Sequence, residues 1–346
     1  MESTQPLVSI MIPNYNHSKY LDECIQSALN QTYKNIEIVV LDNSSDDNSV
    51  EIVSKYISNV VRVCRNTYNI FNTSYKVLDV LSGGKYKMML CADDYIESDF
   101  VENAVKIMEK YPNVGYVHAE RDFITDSGEL LELDPFFNCS FISKGIDIMP
   151  LYMVTTIGHP SQGIFRTEVF NKIGGYDMEI DHMNADRMLW FYLSNESDYA
   201  YIRKKSSRIR VGNQTETFVT QRNFQHPILC HLTIKEMVDF AKRNNIPGVY
   251  KREDEALERL SREFLNYAAG MLANNEYDVA GQYLKYACVI NENISENEVY
   301  IKLENMQMGI TDVDIEYLKK ITKVALQKKR GYNPPENYEE IYLEEL

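Results

Sequence analysis

Lys85-Tyr86-Lys87-Met88-Met89-Leu90-Cys91-Ala92-Asp93-Asp94-Tyr95 decides how this 346-residue chain folds and where its chemistry lies. After the Gly83-Gly84 break the run is apolar and strand-like. It ends in two adjacent carboxylates, at the C-terminal edge where open α/β sheets place their ligands. A divalent cation of the Mg²⁺ type takes one or two protein carboxylates and completes its shell with water and substrate phosphates. Asp94 is the expected ligand, which leaves Asp93 to accept from a ribose hydroxyl. Taken alone, an Asp-Asp pair after a strand is also ordinary turn chemistry, so the rest of the chain must carry the argument.

On the N-terminal side the pattern repeats. Leu7 to Ile12 is an apolar run that stops at Pro13-Asn14-Tyr15-Asn16, a buried strand followed by a loop. Ser18 can cap a helix whose Leu21, Cys24, Ile25, Ala28 and Leu29 form one stripe. Ile36 to Leu41 is a second strand left through Asp42-Asn43-Ser44-Ser45-Asp46, and after a helix through Val50, Val53 and Ile57 a third runs from Val60 to Cys64. Strand-helix-strand repetition predicts a mostly parallel, Rossmann-like sheet with helices on both faces.

On the C-terminal side, Asp99 and Glu102 have capping-box spacing for a helix through Val105, Ile107 and Met108 that Pro112 closes. Val114 to His118 reads as a further strand, and Glu129 to Ile148 has no assignable pattern. Gly158-His159-Pro160-Ser161 is a turn cluster, Asp186 stands near the start of a helix through Leu189, Trp190 and Leu193, and Tyr199 to Ile202 reads as an edge strand. Val211 to Arg222 reads as a loop. Beyond Pro227 strand patterning gives way to amphipathic helices, one stretch of which, Ala268 to Val289, has the rhythm of a single tetratricopeptide unit. The expected organisation is an α/β domain over 1–226, with halves 1–118 and 119–226, and an all-helical domain over 227–346 suited to oligomerisation, as a homodimer, or to acceptor docking. Its acidic end after Pro334-Pro335 is expected to be mobile.

The formal net charge is -15, from 36 Lys+Arg against 51 Asp+Glu, which disfavours nucleic acid or an anionic membrane surface as the main partner. Six scattered cysteines suit a reducing compartment. Met1 to Pro6 has neither a basic region nor an apolar run, and no stretch approaches the ~18 apolar residues of a spanning helix. A cytoplasmic location is expected.

Four motifs, in order, resemble the family-2 glycosyltransferases of GT-A fold. They are Val8-Ser9-Ile10-Met11-Ile12-Pro13-Asn14-Tyr15-Asn16; Val39-Val40-Leu41-Asp42-Asn43-Ser44-Ser45-Asp46; Leu90-Cys91-Ala92-Asp93-Asp94; and His159-Pro160 through Gly174-Gly175-Tyr176-Asp177 to Ala185-Asp186. The resemblance implies a metal-dependent transferase that moves a sugar from a nucleotide diphosphate, most often UDP, onto a saccharide or peptide acceptor with inversion. It implies that Pro13, Asn14 and Tyr15 line the nucleotide pocket, that Asp42 accepts from the base, that Asp93 and Asp94 serve ribose and a Mn²⁺ or Mg²⁺ ion, and that Asp186 is the catalytic base. The same fold also serves nucleotidyltransferases, and a non-catalytic sugar-nucleotide-binding scaffold would share the pocket.

The chain departs from that pattern at three places. Cys91 stands at the first acidic position of the metal motif, and Ala185 precedes Asp186 where an acid is common. The stretch Arg208-Ile209-Arg210-Val211-Gly212-Asn213-Gln214 lacks the histidine that often assists the metal. Arg208 and Arg210 are therefore expected to contact the diphosphate instead. His159 and His182 fall in the acceptor half, where a lone histidine is most often structural.

Overall fold

The computed structural model describes residues 5–155, 157–175, 185–212, 220–326 and 330–346. Two compact units divide the chain: Met1–Met149, Thr156–Val211 and Arg330–Leu346 form the first, and Pro150–Thr155 with Gly212–Lys329 the second.

The first unit is built on one sheet whose strands, among the described residues, are β1 (Val8–Asn14), β2 (Ile36–Asp42), β3 (Val61–Arg65), β4 (Tyr86–Met89), β5 (Tyr95–Ile96), β6 (Val114–Thr125), β7 (Leu130–Leu131), β8 (Phe141–Ser143), β9 (Gly163–Arg166), β10 (Asp198–Val211) and β11 (Glu339–Glu340). Their order is β11-β8-β10-β6-β9-β4-β1-β2-β3, with β5 on β10 and β7 on β6. The predicted strands β4, β1, β2 and β3 are all parallel. Antiparallel β9 then splices this half to the parallel pair β6 and β10, so the sheet is mixed.

Periodicity explains the layers. Val8, Ile10, Ile12, Ile38, Val40, Met88 and Leu90 point to one face and pack with Leu21, Cys24, Ile25 and Ala28 of helix Ser18–Leu29 and with Phe100, Ala104, Ile107 and Met108 of helix Phe100–Lys110. Each such buried aliphatic or aromatic side chain contributes roughly 1.5–3 kcal/mol against the entropy of ordering it. A stripe of Tyr116, His118 and Tyr199 packs with Trp190 of helix Ala185–Glu196, the His118 and Trp190 ring centroids lying 4.4 Å apart.

Several expectations need correction. Neither predicted cap forms a side-chain cap bond: Ser18 is the first helical residue and donates its N–H to Asp47, while Asp99 pairs with Lys204. Tyr199 to Ile202 is not an edge strand but the start of fourteen-residue β10, which hydrogen-bonds to β6, β8 and β5. Its basic residues hid it. Lys204, Lys205, Arg208 and Arg210 each find an acid, Asp99, Asp122, Glu97 and Glu23 respectively, and register shifts on either side of Lys205 break the alternation.

The helical unit begins at Gly212 rather than 227, and Arg330–Leu346 belongs to the α/β unit. There β11 pairs with β8, and Ile341, 5% exposed, joins the core with Leu343 and Leu346 alongside. Three apolar residues spaced through an acidic tail were the overlooked signal. The second unit is helical as expected. Helices Glu253–Ala273 and Tyr277–Ile290 are joined through Asn275, whose φ is +62°, and pack through Phe264, Ala268, Leu272, Ala280, Tyr283 and Leu284.

Candidate functional site

The C-terminal ends of β1, β2 and β4 converge as the parallel register requires, with Asn14 opposite Asp42. Asn14 Nδ2 donates to Asp42 Oδ1 at 2.9 Å, and the Ser45 N–H donates to Asp42 Oδ2 at 3.2 Å. Arg65 Nε lies 3.2 Å from the same oxygen. Asp42 is fully buried, so three of its roughly four acceptor sites are taken within the protein. It shapes the turn more directly than it offers a free acceptor to a base. Pro13 and Tyr15 stay accessible, Tyr15 at 41% exposure, and Asn16 turns the chain with φ +59°.

The acidic pair separates into two environments. Asp94 is buried: Oδ1 accepts from the Arg210 N–H at 2.8 Å and Oδ2 from Ser161 Oγ at 2.6 Å. Burial first, then the neighbouring Asp93 charge, pushes its carboxyl well above the usual range. Asp93 is half-buried, and among the described residues no hydrogen bond reaches its carboxylate.

Ser161 is the hub that sequence reasoning passed over. Its Oγ also accepts from the Cys91 N–H at 3.0 Å, and its carbonyl accepts from Ser207 Oγ at 2.7 Å. The turn Pro160–Gln162 is fixed by a capping box in which His159 Nδ1 accepts from the Ser161 N–H and Gln162 Oε1 accepts from the His159 N–H. Gly158 makes the turn sterically feasible. Its φ is +87°, and a Cβ there would come within 2.2 Å of the His118 ring.

Cys91 Sγ, an Asp94 oxygen and a His159 nitrogen lie within 4.8 Å of one another. Burial holds the Cys91 thiol protonated and, with Arg121, holds the His159 imidazole neutral. A thiol and an imidazole suit borderline metals, whereas Mg²⁺ and Mn²⁺ call for oxygen. The adjacent Asp93 and Asp94 carboxylates meet that need, so the residues present fit a hard divalent cation.

Arg208 and Arg210, expected as diphosphate contacts, both lie in β10. Arg210 is buried, with Nε donating to the Asp93 carbonyl at 2.9 Å, Nη1 to the Thr125 carbonyl at 2.8 Å and Nη2 to Glu23 at 3.0 Å, and its guanidinium sits 3.9 Å from the Tyr20 ring centroid. Arg208 pairs with Glu97 at 3.1 Å. Both guanidinium groups brace the acidic loop, because a strand rich in buried charge must satisfy it internally.

Asp186 stands in the first turn of helix Ala185–Glu196, with its Oδ1 accepting from the Arg187 N–H at 2.7 Å. Burial raises its carboxyl to about 6 despite the lowering influence of that bond, Arg187 and Arg121. A carboxylate tuned upward and held at a helix start can take a proton near neutral pH. Arg121, on β6, was missed. Glu120-Arg121-Asp122 inside an apolar run reads as a strand end, yet the strand continues to Thr125. Tyr176, Asp177, Asp181, His182, Asn213 and Gln214 fall outside the described residues.

A mixed sheet carrying an acidic pair at the ends of its parallel strands and a raised carboxyl in its second half defines a GT-A type transferase fold. Residues 9–174 match the model of glycosyl transferase family 2, and that stretch of the chain belongs to the family. Over 244 residues it is 29% identical to an uncharacterized glycosyltransferase of Rickettsia prowazekii, covering 67% of this chain and 74% of that protein. A second, from Rickettsia felis, is 27% identical over 228 residues, covering 63% and 35%. The chondroitin synthase of Pasteurella multocida is 33% identical over 129 residues, covering 36% of this chain and 13% of that one. The matched part thus spans from about an eighth to three quarters of these relatives' lengths. Among solved structures, S. aureus TarS 1-349 in complex with UDP aligns with a TM-score of 0.56 at 16% identity, covering 93% of this chain and 92% of that one. That likeness concerns the fold. No described helix is long and apolar enough to cross a membrane.

Proposed function

We propose that this protein is an inverting glycosyltransferase that uses a nucleoside diphosphate sugar, a UDP-sugar first among them. The observation that carries the reading is Asp186, a carboxyl raised to about 6 by burial in the same unit as the Asp93–Asp94 pair. The relative S. aureus TarS was solved with UDP and with UDP-GlcNAc, which supports the donor class.

In the reaction, Asp186 accepts the proton of an acceptor hydroxyl as its oxygen bonds to the anomeric carbon from the face opposite the leaving group. The bond from that carbon to the β-phosphate oxygen breaks, and UDP departs with the electron pair. Tyr15 and Pro13 offer the nucleoside a partly exposed apolar surface, while the turn built by Asn14, Asp42 and Ser45 holds its shape. Asp93, whose carboxylate accepts no hydrogen bond among the described residues, with Asp94 behind it, would hold Mg²⁺ or Mn²⁺. The ion supplies Lewis-acid neutralisation of the leaving diphosphate. Asp94, bonded to Ser161 and Arg210, keeps Asp93 in place. We assign acceptor docking or self-association to the helical unit, because the acid and metal-ligand sets lie in the α/β unit.

Incubation with a panel of UDP-, GDP- and TDP-sugars plus Mn²⁺ or Mg²⁺, read by nucleotide release, tests the proposal. Metal-dependent release of UDP from one sugar, abolished by EDTA, is the expected result. No release and no binding of any nucleotide would overturn it.

A further inference from the structure

Strand β6 carries three consecutive charged residues, Glu120, Arg121 and Asp122, and the protein compensates two of them. Glu120, 1% exposed, accepts from the Arg121 N–H at 2.9 Å, from Arg330 Nη1 at 3.2 Å, and from the Phe136 N–H and the Tyr201 hydroxyl. Asp122 accepts from the Leu133 N–H at 2.8 Å and pairs with Lys205 at 2.9 Å.

Arg121 is left over. Its Nη1 donates to Gln162 Oε1 at 2.6 Å, a neutral acceptor, and its buried Nε–H has no acceptor. Among the described residues it makes no ion pair. The carboxylates whose fields reach it are Glu120, already saturated, and then Asp186 and Asp94, while Arg330 adds a like charge. Gln162 anchors it from behind, since Gln162 Nε2 donates to the Ala119 carbonyl at 2.8 Å. The Phe123 ring centroid lies 5.3 Å from its guanidinium carbon.

A buried donor without a partner is destabilising, and an unpaired buried cation more so. Such a group persists where a ligand completes it. Its position is informative, because the acids it senses beyond its neighbour are the proposed base, Asp186, and Asp94 of the acidic pair. We propose that Arg121 is an oxyanion-binding residue of the catalytic centre, its Nε–H and free guanidinium N–H groups taking a phosphate oxygen of the substrates. The proposal rests on the nucleotide-sugar reading. Two sources offer that chemistry, the donor's diphosphate and a phosphate carried by the acceptor. A planar fork of N–H donors suits either.

Calorimetric titration of the full chain with uridine, with UDP, and with inorganic phosphate in saturating UDP separates the cases, comparing wild type with R121Q and R121K. If the donor's diphosphate is the ligand, R121Q weakens UDP about 10- to 100-fold, the range expected for lost bonds to a charged group, and leaves uridine within twofold. If the source is a second phosphate, UDP is unchanged and R121Q abolishes the phosphate binding that wild type shows on top of UDP. Unchanged affinity in both arms, or equal weakening of uridine and UDP, overturns the proposal. Unliganded R121Q is expected to melt no lower than wild type, since the unpaired charge is gone. Should it fail to fold, R121K decides: it lacks the Nε–H and the fork, and wild-type affinity in both arms would overturn the proposal. A wild-type protein that binds neither uridine nor UDP would sink the nucleotide-sugar reading, and phosphate titrated alone would still decide the role of Arg121.

Discussion

Replacing Asp186 with asparagine should make the protein more stable and nearly inactive, with a pH dependence that identifies the cause. The carboxyl is raised from 3.8 to about 6 by burial. At 1.36 kcal/mol for each tenfold change in proton affinity, this gap corresponds to at most about 3 kcal/mol of preference for the protonated form. A folded-state value above the unfolded one favours folding below pH ~4 and forfeits that contribution as pH rises through about 6. At pH 8 the wild type therefore carries an ionised, poorly solvated carboxylate. Asp186→Asn removes it while keeping an oxygen for the Arg187 N–H. The variant should gain up to about 3 kcal/mol over wild type at pH 8 and almost nothing at pH 4, read by denaturant unfolding at both pH values. In the same preparations donor turnover should fall ~10²- to 10⁴-fold, as expected for loss of a general base. Wild-type turnover should rise with pH through about 6 before levelling. A stability difference independent of pH, together with turnover within a few-fold of wild type, would show that Asp186 is only a helix-start residue.

Three further outcomes follow from the packing around the acidic loop. Asp94→Asn replaces one of two acceptor oxygens by an N–H₂, which then faces one of the two donors, Ser161 Oγ or the Arg210 N–H, so unfolding free energy should drop by about 1–3 kcal/mol. The metal-dependent part of the UDP-induced melting shift should vanish with it; a full shift would remove Asp94 from the metal site. Asp42→Ala strips acceptors from Asn14, Ser45 and Arg65 and should lower the melting temperature before any ligand is added, whereas unaltered stability with weakened UDP would restore the base-reading role. Gly158→Ala combines a left-handed φ with a clash on the His118 ring; at about 1–3 kcal/mol for each, chemical denaturation should show a loss of several kcal/mol, and a neutral variant would mean that the turn relaxes freely.

The parts of this architecture that were legible in the sequence share a physical property: their apolar and polar residues follow one period. Val8 to Ile12, Ile38 to Leu41 and Met88 to Leu90 are buried on both faces and so read as mainly apolar runs that end at the site. β10 and the middle of β6 break that rule. Their buried charges are neutralised by partners far away in sequence, Lys205 by Asp122, Arg210 by Glu23 and Glu120 by Arg330. Local pattern reading sees only the charge and ends the strand. The same blindness left Arg121 unnoticed.

On the proposed function, a chain of net charge -15 that takes a diphosphate must overcome its own long-range field. Helix Ala185–Glu196 presents Asp186 in its first turn, β4 delivers Asp93 and Asp94, and β6 brings Arg121 within reach of the field of Asp94 and Asp186. Burial pushes the Asp94 and Asp186 carboxyls upward. Raised carboxyls are less often ionised near neutral pH, which softens their repulsion of an incoming anion. Arg121 meanwhile stays a cation without an ion pair among the described residues. The burial that costs stability at Asp186 thus raises its affinity for a proton, and the same acidic protein keeps the Arg121 guanidinium in the field of Asp186 and Asp94.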